Sequence, residues 1–105
     1  MRIDMSIEPT LDGLDPFARS GFEAPDVLVV SSRTKAELAH NLRYCMAIRG
    51  SRVDEVCTQA NVSRDDAREM FERGEGTYAD ASSLFRALQA RSVVFPAVCE
   101  EGRFA

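Results

Sequence analysis

The side chains with the clearest chemical use lie between Arg49 and Arg73. Arg64 and Arg68 stand four residues apart, so a helix would put both guanidinium groups on one face. Such a pair can grip phosphate oxygens or guanine edges, or pair locally with Asp65 and Glu72. Arg49, Arg52 and Arg73 are three further forked cations, suited to phosphates and equally to plain solvation. The Ser63 hydroxyl can bond a base edge, and the Asp65 carboxylate can accept from a cytosine amino group. The candidate contact set is therefore Arg49, Arg52, Ser63, Arg64, Asp65, Arg68 and Arg73. Against it stands the pair Asp65-Asp66, because carboxylates are repelled by phosphate. Those same carboxylates suit the positive end of a helix dipole, which is their simpler explanation.

Other chemistries find little support. One histidine, no glycine-rich phosphate loop and no nucleophile paired with a base leave nothing on which to build an enzyme. Asp54-Glu55 and Asp65-Asp66 are sequence neighbours, and on a helix neighbours do not converge on one point. Cys45, Cys57 and Cys99 are odd in number and, with His40, lack the spacing of a zinc site. Reduced thiols are expected, with no metal and no cofactor.

The net charge of −4 is unevenly placed. Residues 1–32 hold two basic and six acidic side chains and carry all of it, while eleven of each sign follow from Arg33 onward. Nucleic-acid binders are usually basic, so this balance weighs against that class. Twelve of the thirteen cations are arginine, a bias that high genomic GC content would also produce. No apolar run is long enough to span a membrane, and Met1 to Glu8 lacks the layout of an export signal, so a cytoplasmic location is expected.

These residues must be positioned by short helices. Thr34 and Glu37 have capping-box spacing, and Leu38, Leu42, Cys45 and Arg49 then share one face of a helix that Gly50 ends. A second helix is predicted over 52–59, with Val53, Val56, Cys57 and Ala60 on its apolar side. Asn61 tolerates the left-handed turn after it. A third helix opens at Ser63, with Asp66 three residues on, and runs to Arg73, its inner face being Ala67, Met70 and Phe71. Gly74 and Gly76 break it. A fourth runs from 79 or 80 to 91, with Ala81, Leu84, Phe85 and Leu88 at helical spacing. Val27–Val30 and Val93–Phe95 are candidate strands. Residues 1–30, rich in Pro, Gly and acidic side chains, read as an irregular arm with a short turn near Asp15–Arg19; 31–96 form the domain and 97–105 a short tail.

The stretch LRYCMAIRGSRVDEVCTQANVS, Leu42 to Ser63, holds a helix, a glycine, a short helix with a small residue at Cys57, a tight turn at Asn61-Val62 and a capped third helix. It resembles the phage-repressor-like helix-turn-helix family, of Cro/CI or xenobiotic-response-element type. Members typically read LRxxRxxxGLTQEELAxxAGVSRxTISRxExG. Leu42, Gly50, Glu55, Val56, Ala60, Val62, Ser63 and Arg64 fall in register without a gap. Cys57 stands for the usual alanine and Asn61 for the usual glycine. Glu72-Arg73-Gly74 is similar to the E-x-G ending, and Leu84-Phe85-Arg86-Ala87-Leu88 followed by Val93-Val94-Phe95 to the family's close. The chain departs from the pattern at Ser51 and Arg52-Val53, where Leu and Thr-Gln are usual. A phosphate- or base-contacting glutamine is thereby lost, and the third helix is one residue longer.

The resemblance implies an all-α, lambda-repressor-like bundle of four to five short helices, with flanking strands at 27–30 and 93–95. It implies a transcriptional regulator that binds operator DNA as a homodimer through the third helix. The neutral domain, acidic arm and Asp65-Asp66 keep a second expectation open: a helix-turn-helix fold that has lost DNA and binds a protein partner, as an antiactivator or adaptor.

Overall fold

A computed structural model of the chain describes residues 26–105. The expected arm over 1–25, including the turn near Asp15–Arg19, lies outside the described residues. The elements run β1 (Leu28–Val30), α1 (Lys35–Arg49), α2 (Val53–Ala60), α3 (Arg64–Arg73), α4 (Tyr78–Ala87) and β2 (Ala90–Ser92). Four helices and two short strands make one mostly helical, compact domain.

Three of the four helices start where a side-chain hydroxyl satisfies a free amide. The hydroxyls of Thr34, Ser63 and Thr77 accept from the main-chain N–H three residues on, each at 3.1 Å. Glu37 reaches back one residue further than in a capping box and accepts from the Arg33 N–H at 2.7 Å. Helix ends follow the same accounting. Gly50 has φ 65, and its N–H and that of Ser51 return to the carbonyls of Ala47 and Met46. Asn61 takes the same left-handed conformation, φ 59, and with Val62 bonds back to Thr58 and Cys57. That turn directs Val62 inward and starts α3 across α2.

The core is drawn from every element. Leu38, Leu42 and Cys45 come from α1, Val56 and Cys57 from α2, Ala67, Met70 and Phe71 from α3, and Ala81, Leu84 and Phe85 from α4. Val62, Leu88, Leu28, Ala90 and Phe104 complete it. α1 packs chiefly on α3, and α2 on α4. Gly74 lies so close to the start of α1 that a Cβ there would sit 2.1 Å from the Lys35 carbonyl oxygen.

Three expectations need correction. The fourth helix stops at Ala87, four residues short of Arg91, because Leu88 leaves helical geometry and Gln89 turns left-handed at φ 53. The second strand is therefore Ala90–Ser92, not Val93–Phe95. It pairs parallel to β1 with Leu28 opposite Ala90 and Val30 opposite Ser92. The valines drew the prediction by their β propensity, whereas the turn at Gln89 fixes where pairing begins. Backbone bonds from Val93 to Val30 and from Ser32 to Val94 prolong the contact. The residues after Pro96, expected as a tail, fold back on the domain. Val98 and Phe104 bridge each other, Thr77 bridges Arg103, and Phe104 is buried. Its ring stacks on Phe95, which meets Tyr78 and Phe85 edge to face.

One polar cluster ties the strands to α1. Ser32 is fully buried, and its hydroxyl lies 2.9 Å from the Asn41 amide nitrogen and 3.0 Å from the Ser92 hydroxyl. Asn41 also donates to the Ser31 carbonyl. A buried hydroxyl with two partners costs little, so the cluster fixes register without loss of stability.

Candidate nucleic-acid interface

The seven candidate side chains separate into groups once folded. Arg49 leaves the set. Its Nε donates to the Leu88 carbonyl at 2.9 Å, and one terminal nitrogen donates to Gln89 at 2.9 Å and Asp26 at 3.2 Å. Three carbonyls at the end of α4 and the entry to β1 thus occupy the fork. A cation there also opposes the negative end of the α4 dipole.

Arg64 and Arg68 stay together as their spacing predicts. They line one groove with Arg43 of α1, over a floor of Met46, Val53 and Phe71, with Glu72 at the edge; its volume is about 460 Å³. Arg52 immediately precedes Val53 and is exposed, which adds a fourth guanidinium at the head of α2. Arg43 was not among the sequence candidates. It also donates to the Phe71 carbonyl, clamping α1 to α3. Leu42 beside it marked the buried face of α1, but only the crossing with α3 shows that Arg43 borders the same groove.

Carboxylates are interleaved with these cations. Arg64 meets Asp54 of α2 at 2.9 Å, Arg68 meets Asp65 at 3.8 Å, and Arg73 meets Glu69 at 3.2 Å. Every one of these six side chains is about half exposed or more, so each pair holds by about 0–1 kcal/mol. Helical geometry sets Asp65, Glu69 and Glu72 on the stripe opposite buried Ala67, Met70 and Phe71, with Arg73 on the flank away from Arg64 and Arg68. The Ser63 hydroxyl oxygen accepts from the Asp66 N–H as a cap, and its proton stays available to donate. What remains convergent is Arg43, Arg64 and Arg68, with Arg52 exposed at the head of α2 and Asp65 at the exposed start of α3.

A second concavity, about 680 Å³, lies at the turn between α2 and α3, with Asp54, Thr58, Asn61, Ser63 and Arg64 around Cys57. The Cys57 thiol is pushed above its usual pKa by burial and by nearby Asp54, with Arg64 opposing. Burial likewise raises the Cys45 thiol, against the pull of Arg49. Both stay protonated and inert at neutral pH. Cys99 is exposed. Among the described residues, no three His, Cys, Asp or Glu side chains are grouped to hold a metal, and no helix is long and apolar enough to cross a membrane.

Comparison with family models, with curated proteins and with solved structures returned no match for this chain. Its geometry has to carry the functional reading.

Proposed function

We propose that this chain is a small helix-turn-helix transcriptional regulator that binds operator DNA as a homodimer, with α2 and α3 as the helix-turn-helix unit. The carrying observation is the convergence of Arg43, Arg64 and Arg68 on one groove, next to Arg52 at the head of α2. Guanidinium groups from α1 and α3 around one groove, with Arg52 at the head of α2, suit phosphate oxygens on either side of a groove edge. The start of α3 presents Arg64 and Asp65, the side chains best placed for base edges. A near-neutral domain binds a duplex weakly on its own, and two-fold pairing on a symmetric operator supplies the missing affinity.

The outward stripe of Asp65, Glu69 and Glu72 favours a second reading, in which the same fold serves a protein partner. Fluorescence anisotropy against duplexes tiled across the gene's own upstream region, at several salt concentrations, separates the two. Operator binding predicts one tight duplex, affinity falling steeply with salt, and a log–log slope smaller by about 1 in Arg64→Ala or Arg68→Ala. No binding at low salt would leave the protein-partner reading standing.

A further inference from the structure

The groove between α1, α2 and α3 combines two chemistries. Its floor is apolar, from Met46, Val53 and Phe71, and Val53 stays 42 % exposed. Its rim is cationic, from Arg43, Arg64 and Arg68. DNA phosphates use the rim and leave the floor wet. A segment that alternates apolar side chains with carboxylates would use both.

The chain itself contains one. Leu11-Asp12-Gly13-Leu14-Asp15-Pro16-Phe17 sets three apolar side chains at intervals of three, with a carboxylate after each of the first two. It lies within residues 1–25, which hold five acidic and two basic side chains. The described chain begins at Asp26, whose carbonyl is held by Arg49, and Met46 lies one turn earlier in α1. Asp26 lies nine steps along the chain from Phe17, and those steps can span about 30 Å. Reaching the groove requires about one helical turn plus one helix diameter, roughly 15 Å. A short tether of this kind gives an effective concentration in the millimolar range, so even weak contacts are occupied.

We propose that this groove takes the chain's own segment 11–17, with Leu11, Leu14 and Phe17 on the Met46–Val53–Phe71 floor and Asp12 and Asp15 at Arg64 and Arg68. The docking stands independently of DNA binding. Its consequence rests on the DNA reading: the segment and a duplex compete for the same arginines, and binding is self-limited.

The test uses the full chain and needs no DNA. The Met46 methyl and Phe71 ring resonances are compared in wild type, in Leu14→Ser/Phe17→Ser and, as the gentler change, in Asp12→Asn/Asp15→Asn, with circular dichroism confirming that all are folded. Docking predicts that both signals differ between wild type and variants at low salt. A synthetic peptide of residues 9–24 added to the Leu14→Ser/Phe17→Ser chain should restore the wild-type positions, and should bind wild type at least about 10-fold more weakly. Coincident signals in wild type and both variants overturn the proposal. So does a peptide that binds wild type and variant equally, and so do wild-type positions that move with protein concentration, which would assign the segment to a second copy. Duplex binding is then measured on the same proteins. Tighter binding by the variants, by about 5-fold or more, links docking to regulation. Shifted Met46 signals with no duplex binding by any protein keep the docking and remove the DNA reading.

Discussion

Replacing Gly74 by alanine tests how α3 is seated on α1. Two costs add at this position. The residue has φ 70, a left-handed conformation that costs an L-residue about 1–2 kcal/mol. Its Cβ would also lie 2.1 Å from the Lys35 carbonyl oxygen and 2.7 Å from the carbonyl carbon. Those atoms are backbone, in the first residue of α1, so no side-chain rotation relieves the contact. The start of α1 must move away from the end of α3, at about 1–3 kcal/mol for overpacking of this kind. Gly50→Ala is the internal control. Its φ is 65, but nothing lies within 4 Å of the new Cβ, so only the conformational cost applies. The expected losses are about 2–5 kcal/mol for Gly74→Ala and about 1–2 kcal/mol for Gly50→Ala. Urea denaturation at constant slope reads both, and thermal midpoints should fall by about 4–8 °C per kcal/mol. If the two variants agree within about 0.5 kcal/mol, the close approach of Gly74 to α1 is wrong.

Arg49→Gln should cost about 1.5–3 kcal/mol by urea denaturation, since a charged fork on three carbonyls is lost, and should leave the salt dependence of duplex binding unchanged. Phe104→Ala should destabilise by about 3 kcal/mol in the same assay, because the last residues belong to the core; a neutral result would return them to the status of a tail. Arg64→Ala should change stability by less than about 1 kcal/mol, as its pair with Asp54 is exposed. Cys99 should react with a thiol reagent quickly and Cys45 and Cys57 slowly, counted by absorbance in the folded protein. The folded pKa of both buried thiols is raised, so their protonated form favours folding. That contribution is complete below about pH 8.5, where the unfolded thiol begins to ionise, and is lost as pH rises through the folded values. Denaturation at pH 7 and pH 10 should show the decline.

The sequence by itself determined the helices, because their signals are local. Thr34 and Ser63 cap within three residues, Gly50 and Asn61 accept positive φ, and the 3.6-residue period of Leu38, Leu42 and Cys45 or of Ala81, Leu84 and Phe85 marks the buried face. It also set Arg64 and Arg68 side by side, since spacing along one helix is enough for that. What it left open depended on contacts far apart in the chain. The β-formers Val93, Val94 and Phe95 outweighed Ala90–Ser92 by propensity, yet pairing with β1 across four helices decided the strand. Arg49 looks like any surface cation until the end of α4 is brought to it, and Arg43 joins Arg64 and Arg68 only where α1 crosses α3. A side chain's type and spacing fix what it can bond locally; which distant carbonyl, carboxylate or groove it meets is decided by how the helices pack.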